Sequence, residues 1–267
     1  MRRAPYRLSD PDGAQARLGL IVLQADETIE RDFRRFCAGP GVALHVTRIP
    51  SGADLTPETI AGMEAALPAA AALLPSAARF HSVGYACTSG ATVIGVDRVA
   101  ELVHGAVHTR AVADPLTAAT AALVALCAAR IGLVSPYVAS VAGPLRAALE
   151  AAGLDVAAAL SFGEETEERV ARIDPASIRA AVLEVGRCPG VEAVFVSCTN
   201  LRAIEVVDAA EARLGLPVVT SNLALAWQMF AQAGARPADP VGRLLRAGAG
   251  AGGAATRRAR RGTGPAA

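Results

Sequence analysis

The chain has 267 residues, of which 52% are hydrophobic, and a formal net charge of +1. The length allows one large domain or two small α/β domains, and the hydrophobic content excludes a disordered protein. The near-zero charge gives no field that would attract nucleic acid or a membrane surface. No apolar run reaches the length of a membrane span, and no apolar segment follows the arginines of residues 1–13. We therefore expect a cytoplasmic protein.

The composition excludes several cofactor and metal sites. The chain contains no lysine, so it cannot hold pyridoxal phosphate as a Schiff base or supply the lysine of a P-loop. No GxGxxG motif follows the first predicted strand, so a dinucleotide site is unsupported. The five cysteines and four histidines show no spacing typical of zinc ligands. We expect no cofactor, no metal and reduced thiols.

Short β-rich apolar runs alternate with Ala-rich amphipathic segments along the chain. In the first half the pattern predicts strands at 18–24, 42–49, 81–87 and 106–112, and helices at 28–36, at 57–74 with a break at Pro68, from about 91, and at 115–129. In the second half it predicts strands at 131–137, 155–162, 191–198 and 216–222, with helices between them. Such βαβ alternation predicts parallel sheets with helices on both faces.

The second series of elements resembles the first. Residues 16–22 match residues 129–134, and residues 85–89 match residues 196–200, at offsets of 113 and 111. Two landmarks in the same order and at nearly the same offset indicate an internal duplication. The Gly- and Ala-rich tail at 247–267 has low complexity and is predicted to be disordered.

Cys87 and Cys198 occupy equivalent positions in the two halves, each at the end of a predicted strand. Ligands of open α/β sheets bind at the carboxyl ends of strands, so halves related by a pseudo-two-fold axis would bring both thiols to one cleft. The polar segments after them are predicted to open helices, whose N-termini favour a carboxylate and lower thiol pKa values. The pattern predicts a reactive thiol pair; the alternative is that both cysteines are buried and inert.

Other polar residues at predicted strand ends complete the candidate site. They are Asp26, Thr88, Ser89, Tyr137, Thr199, Asn200 and Asn222. Each has an alternative role, because such residues also serve as helix caps and a tyrosine also packs in a core. The cysteines in or beside predicted helices, which are Cys37, Cys127 and Cys188, are interpreted as buried and inert. The acidic segment at 163–168 is interpreted as a solvated loop or a helix start.

These motifs resemble those of the aspartate/glutamate racemase superfamily. They are GYACTSG (84–90), SPY (135–137), SFG (161–163), VSCTNLR (196–202) and SN…W (221–227). The most similar branch is that of the maleate cis-trans isomerases and arylmalonate decarboxylases. Within it, LQADETIE (23–30) is most similar to the ectoine-utilisation proteins, which are regarded as racemases of that pathway. The resemblance covers residues 18 to about 234.

The resemblance implies a fold and a site. The fold is α/β, with two pseudo-symmetric Rossmann-like lobes, parallel sheets, an interlobe active site and no cofactor. We place the N-terminal lobe at 1–128 and 222–246 and the C-terminal lobe at 129–221. The resemblance also implies that Cys87 and Cys198 act as acid and base. The carboxylate ligands that it implies are Thr88, Ser89, Tyr137, Thr199 and Asn200.

The reaction within this branch is open. Arylmalonate decarboxylases keep only the second cysteine, so the pair here argues against decarboxylation. Maleate isomerases have Asn where Asp26 aligns and another Asn near Gly163; an acidic group would repel a second carboxylate and favour an amino group. We expect a two-cysteine racemase or isomerase of a small carboxylate or amino acid, in ectoine degradation. A maleate isomerase, an arylmalonate-type decarboxylase and an inactive small-molecule binding protein are the alternatives, and a homo-oligomer is compatible with the sequence.

Overall fold

The computed structural model describes residues 3–54 and 56–248. The predicted disordered tail at 247–267 lies outside the described residues, apart from its first two positions. The strands are β1 Ala16–Leu23, β2 Val42–Ile49, β3 Ser82–Ala86, β4 Val112–Ala113, β5 Arg130–Tyr137, β6 Asp155–Glu164, β7 Ala193–Val196 and β8 Val218–Thr220. The α-helices are α1 Ile29–Phe36, α2 Pro57–Ala71, α3 Thr88–Ile94, α4 Val96–Ala106, α5 Pro115–Ala125, α6 Ala139–Ala151, α7 Glu167–Ala171, α8 Pro175–Gly186, α9 Val207–Leu214, α10 Ser221–Ala233 and α11 Gly242–Ala247.

The two halves of the chain form two parallel sheets with the same topology. The first sheet has the strand order β2-β1-β3-β4, and the second has β6-β5-β7-β8. The second order repeats the first when β5 to β8 are counted as one to four, as an internal duplication predicts. All strand pairs within both sheets are parallel. The predicted α/β fold with two Rossmann-like lobes is confirmed.

The inner strands of each sheet are almost entirely apolar because helices cover both of their faces. Seven of the eight residues of β1 are buried, and so are seven of the eight residues of β5. Such continuous apolar runs are typical of buried parallel strands. The edge strand β6 alternates more between buried and exposed positions. This burial fixes the inner strands, so residues at their carboxyl ends start from rigid positions.

Helix α10 follows the second sheet along the chain but packs against the first. It contacts β3, β1, α1 and α5. Gly84 in β3 allows this contact, because a Cβ atom at residue 84 would lie 2.7 Å from the sulfur of Met229 in α10. The first residue of α10, Ser221, comes directly after the last residue of β8. The start of α10 therefore lies between the two halves.

Three predicted elements were wrong in detail. Helix α2 continues through Pro68 to Ala71, because burial of its last turn outweighs the missing N–H and the steric cost of proline. The strand predicted at 106–112 is only Val112–Ala113, since α4 extends to residue 106. A helix was also predicted to open directly after Cys198. A turn follows this residue instead, and the next helical elements are the 3₁₀ turn Ile204–Val206 and α9.

The lobe boundaries stay a prediction, and α11 favours a change to them. The N–H of Gly242 donates to the Asp208 carboxylate at 3.0 Å, and the N–H of Arg243 donates to Glu211 at 2.9 Å. Both acceptors lie in α9, which follows β7. These contacts favour the second lobe for α11, whereas α10 packs on the first sheet. None of the helices in the described part of the chain combines the length and the apolar character that a membrane span requires.

Candidate active site

Predicted site residues lie where the strand order of each sheet reverses. In the first sheet Asp26 follows β1 and Cys87 follows the adjacent β3. In the second sheet Tyr137 ends β5 and Cys198 follows the adjacent β7. All four residues are buried. Because ligands of open α/β sheets bind at such reversal points, both halves present candidate groups where a ligand is expected.

A hydroxyl group on α10 joins the loops that carry the two cysteines. The Oγ of Ser221 lies 2.9 Å from Oγ1 of Thr88 and accepts a hydrogen bond from the backbone N–H of Cys198 at 3.1 Å. The hydroxyl of Thr199 makes a second link by donating to the carbonyl of Ala86 at 3.2 Å. The structure therefore brings both predicted cysteine loops into direct contact.

Cys87 caps the helix that follows it. Its Sγ accepts a hydrogen bond from the N–H of Gly90 at 3.1 Å and lies 3.5 Å from the hydroxyl oxygen of Ser89. A Cβ atom at residue 90 would clash with the Tyr85 hydroxyl and lie 2.9 Å from the sulfur. Only glycine at this position lets the first turn of α3 close around the thiol.

Cys198 has a strained backbone. Its φ is +138°, a conformation that costs a residue with a side chain about 1–3 kcal/mol. The residue equivalent to Gly90 is Leu201, and a turn rather than a helix follows Cys198. The sulfur of Cys198 instead accepts a hydrogen bond from the N–H of Asn200 at 3.4 Å. The contacts of this loop hold the residue in place despite the strain.

Burial raises the pKa of the Cys87 thiol to about 12. Hydrogen bonds from Ser89 and Gly90 lower this pKa, while the charges of Glu167 and Asp26 raise it. The N-terminus of α3 lowers the pKa through the N–H of Gly90, as predicted, but the net pKa is raised because burial has the larger effect. A thiolate in this closed site loses its hydration, and that loss outweighs the hydrogen bonds.

The Cys198 thiol behaves in the same way. Burial raises its pKa well above the ordinary value, and the charge of Glu167 raises it further. Hydrogen bonds from the Asn200 N–H and from Tyr137 lower it. Tyr137 lies close enough to both thiols for their charges to raise its own pKa, after the larger effect of burial. Both cysteines are thus neutral thiols before a ligand binds.

Glu167 is a buried carboxyl group that the sequence analysis did not select. It is the first residue of α7, and only 4% of it is exposed. Its N–H donates to the carbonyl of Ala53 at 3.0 Å, which draws the start of α7 against the first half. Burial raises the pKa of Glu167 to about 7, although a hydrogen bond from Asn200 lowers it. Of the two interpretations of 163–168, the helix start is confirmed because α7 begins at Glu167, whereas a solvated position is wrong for this residue.

Neighbouring loops already engage the side chain of Asn200. Its Oδ1 accepts a hydrogen bond from the N–H of Glu27 at 2.9 Å. Its Nδ2 donates to the Glu167 carboxylate at 2.8 Å and to the Glu167 carbonyl at 3.1 Å. An amide has two N–H donors, so neither is left for a substrate in this arrangement. The geometry favours a positioning role for Asn200, and its contact with a carboxylate stays a prediction.

Asp26 uses one carboxylate oxygen as a helix cap and leaves the other without a donor. Its Oδ1 accepts hydrogen bonds from the N–H groups of Thr28 and Ile29 at 2.8 and 2.9 Å. Its Oδ2 is buried and has no hydrogen-bond partner in the described part of the chain. Thr199 lies nearby, but its hydroxyl donates to Ala86. Burial raises the pKa of Asp26, and the capping N–H groups lower it.

Asn222 connects α10 to α1 and to the loop after β7. Its Nδ2 donates to Oδ2 of Asp32 at 2.8 Å and to the carbonyl of Thr199 at 2.9 Å. Burial raises the pKa of Asp32 to about 6, and the Asn222 hydrogen bond lowers it. The cap of α10 is Thr220, so Asn222 is not the helix cap considered from the sequence.

The space around these groups is closed. Ser89 and Glu167 line a cavity of only about 10 Å³, which is room for about one water molecule. An isolated antiparallel bridge joins Asp54 to Thr166, next to the hydrogen bond between the Glu167 N–H and Ala53. Because Cys87, Cys198, Asp26 and Glu167 are all buried, a substrate with several heavy atoms needs some of the surrounding contacts to open.

Larger cavities lie outside the cysteine site. A cavity of about 390 Å³ between α6 and β6 includes Tyr137 but no cysteine. A cleft of about 370 Å³ is lined by His81, His104, His108 and two arginines. Within the residues that the structure describes, no three His, Cys, Asp or Glu side chains form a group that could hold a metal ion.

The profile of the arylmalonate decarboxylase family matches residues 101–245, which is more than half of the chain. The chain belongs to the arylmalonate decarboxylase family. The branch of the racemase superfamily inferred from the motifs is confirmed.

The similar proteins include both maleate isomerases and arylmalonate decarboxylases. A maleate isomerase from Nocardia farcinica is 29% identical over 244 residues, covering 86% of this chain and 95% of the relative. An arylmalonate decarboxylase from Bordetella bronchiseptica is 31% identical over 132 residues, covering 48% of this chain and 55% of the relative. A solved structure of a cysteine-to-serine mutant of the Nocardia farcinica maleate cis-trans isomerase holds a covalently bound succinylcysteine intermediate. It is similar with a TM-score of 0.78 at 26% identity, covering 87% of this chain and 98% of that one.

Ser221→Ala tests the link between the cysteine loops of this family member. Loss of the hydroxyl leaves the buried N–H of Cys198 without an acceptor, so the free energy of unfolding should fall by about 1–3 kcal/mol. Ser197→Ala is a matched control, because the Ser197 hydroxyl is buried and has no hydrogen-bond partner in the described residues. Its loss should be neutral or stabilising. Equal losses for the two variants in urea unfolding would contradict the role of Ser221.

The thiols should differ in their reaction with iodoacetamide near neutral pH. All five cysteines are free thiols, Cys127 is exposed, and Cys87 and Cys198 are buried. Cys127 should be labelled first and the two site cysteines last, because they are closed off and protonated. The exposure of Cys127 corrects its interpretation as a buried residue. Peptide mass spectrometry gives the order of labelling. As a control, all five cysteines should react at similar rates in urea. Early labelling of Cys87 in the folded protein would contradict the closed site.

Glu167→Gln should change the pH dependence of stability. Since burial raises the pKa of Glu167 from 4.5 to about 7, the folded protein keeps this proton in a range where the unfolded chain releases it. The stability that the protonated Glu167 contributes to the folded protein is fully present below about pH 4.5 and is lost as pH rises through about 7. The variant should match the parent near pH 4.5 and exceed its free energy of unfolding by about 3 kcal/mol at pH 8.

Urea unfolding at several pH values measures this difference. Glu168→Gln is the control, since Glu168 is exposed and paired with Arg172, and its effect should stay within about 0.5 kcal/mol. A pH-independent difference for Glu167→Gln would show that this carboxyl group titrates normally.

Proposed function

We propose that this protein is a cofactor-independent isomerase that uses Cys87 and Cys198 as opposed acid and base on a small carboxylate or amino acid. The observation that carries the proposal is the joining of the two cysteine loops through Ser221, with Tyr137 close to both thiols. The family relationship supports it, because one solved relative holds a succinylcysteine intermediate and therefore reacts through a cysteine.

Inversion at a carbon next to a carboxylate needs one group that removes a proton and a second that delivers one to the opposite face. The Cys87 thiol, which is neutral in the free protein, first loses its proton to solvent as the substrate binds. In one direction the resulting thiolate takes the Cα proton, and the electron pair of the broken C–H bond moves into the carboxylate. The Cys198 thiol then gives its proton to the other face of Cα and becomes the thiolate. One thiol and one thiolate are present before and after the step, so the reverse reaction exchanges their roles.

The substrate carboxylate is proposed to lie at the loop after β3. The first turn of α3 leaves the N–H groups of Thr88 and Ser89 without intrahelical acceptors, and the hydroxyls of both residues lie in the same turn. Tyr137 supplies a hydroxyl group from the second half, whereas the Thr199 hydroxyl already donates to the carbonyl of Ala86. Donors placed in this way stabilise the negative charge that develops when the Cα proton leaves.

Asp26 points to the class of substrate. A carboxylate at this position repels a dicarboxylic acid and attracts an ammonium group. This favours racemisation of an amino acid over isomerisation of maleate. The resemblance of residues 23–30 to the ectoine-utilisation proteins makes a diamino acid from ectoine degradation the first substrate to test.

Deuterium incorporation tests the two-thiol reaction. In D₂O the inverted product of a chiral amino acid, such as 2,4-diaminobutyrate, should carry one deuterium at Cα. Cys87→Ser and Cys198→Ser should each lower inversion by about 10²–10⁴-fold, whereas Cys127→Ser, at an exposed position, should retain it. Full activity in either site variant would contradict the proposal. Chiral chromatography with mass spectrometry measures both inversion and label.

Maleate cis-trans isomerisation is the second candidate, and the succinylcysteine in the Nocardia farcinica relative favours it. It predicts fumarate from maleate and a mass adduct on Cys87. These two results without inversion of any amino acid would replace the racemase proposal. Stabilisation by ligands without any turnover would indicate an inactive binding protein.

A further inference from the structure

Two carboxyl groups share the closed site with the thiols, and no cation accompanies them. Asp26 is 2% exposed and Glu167 is 4% exposed. Neither forms an ion pair with any residue that the structure describes. Arg48 donates to the backbone carbonyl of Asp26 at 3.1 Å and lowers the pKa of its carboxyl group, but the ion pair of Arg48 is with Glu30 at 2.5 Å. The site therefore holds two buried carboxyl groups, neither of which is paired with a cation in the described part of the chain.

The two carboxyl groups are oriented but not satisfied. Asn200 holds one oxygen of Glu167 at 2.8 Å, which fixes the direction of that side chain. The cap of α1 holds Oδ1 of Asp26 and leaves Oδ2 buried without a partner. Each group raises the pKa of the other site members, including both thiols. A buried carboxylate oxygen without a donor is costly, and a ligand that donates hydrogen bonds removes this cost.

We propose that Asp26 and Glu167 together receive a cationic group of the substrate, a primary ammonium, while the substrate carboxylate lies at the cysteine loops. This inference rests on the proposed function and narrows it to substrates with a positive charge at one end. A dicarboxylate is excluded, because its second carboxylate would meet two like charges and no arginine or lysine side chain in the site.

Binding of the cation also changes the thiols. The charges of Asp26 and Glu167 oppose formation of a thiolate at either cysteine. An ammonium group between them offsets these charges, so that a thiolate becomes less costly only when the substrate is present. The contact between the ammonium group and the two carboxyl groups thereby selects the substrate and also favours the thiolate that acts as the base.

Ligand binding to the Cys87→Ser/Cys198→Ser double variant tests the proposal without turnover. Titration calorimetry compares 2,4-diaminobutyrate with aspartate and maleate, which also have four carbons but carry a carboxylate at the far end. The diamino acid should bind at least about tenfold more tightly than either dicarboxylate, as expected for one charged hydrogen bond.

Two substitutions in the same background locate the effect. Glu167→Gln keeps an oxygen for Asn200, and Asp26→Asn keeps the cap of α1, so neither should unfold the protein. Each should weaken diaminobutyrate binding by about tenfold or more and strengthen maleate binding. Glu168→Gln, one residue from the site and exposed, should leave both affinities unchanged.

The proposal is overturned if no ammonium-bearing ligand binds more tightly than its dicarboxylate counterpart, or if Glu167→Gln leaves the preference unchanged. Its failure is separate from that of the proposed function. Deuterium exchange that depends on both cysteines, without a preference for cationic ligands, would leave the two-thiol reaction standing and remove this inference. A preference for cationic ligands without any deuterium exchange would support this inference and contradict the two-thiol reaction.

Discussion

The site depends on where one hydroxyl group lies. Ser221 accepts the N–H of Cys198 and contacts Thr88, so it joins the loops of both catalytic candidates. It reaches this position because α10 leaves the end of β8 and packs at once on the first sheet, where Gly84 allows the close contact. The crossing of the chain from one half to the other thus fixes the separation of the two thiols. Rigid inner strands on both sides keep that separation constant.

Burial controls the chemistry of the site more than any single hydrogen bond does. Two thiols and two carboxyl groups lie together in the site, each no more than 4% exposed, and the pKa of each is raised. Groups that interact this closely share their protons. Both thiols are therefore protonated and unreactive in the free protein. A ligand that brings charge into this space changes all four groups at once.

Much of the fold could be predicted from the sequence because buried parallel strands are apolar throughout and recur at a regular spacing. The repeated Cys-Thr-polar triplets also predicted the paired cysteine loops. Their local structure could not be predicted from the triplet, since a helix begins directly after Cys87 whereas a turn follows Cys198. Glu167 was missed because an acidic run looks solvated, and its burial depends on Ala53, far away in the chain. Ser221 was noted only as part of the SN…W motif, because its contacts with Thr88 and Cys198 depend on how α10 crosses to the first sheet.

The bridge between Asp54 and Thr166 has a kinetic consequence. With the site closed, a collision between substrate and protein leads to binding only during the fraction of time in which this bridge is open. The association rate constant is then set by the opening equilibrium and falls below the limit for diffusion to an open cleft. Product leaves by the same route, so the bridge can also limit turnover. Sequence changes at this distant contact would alter the speed of the enzyme without altering its chemistry.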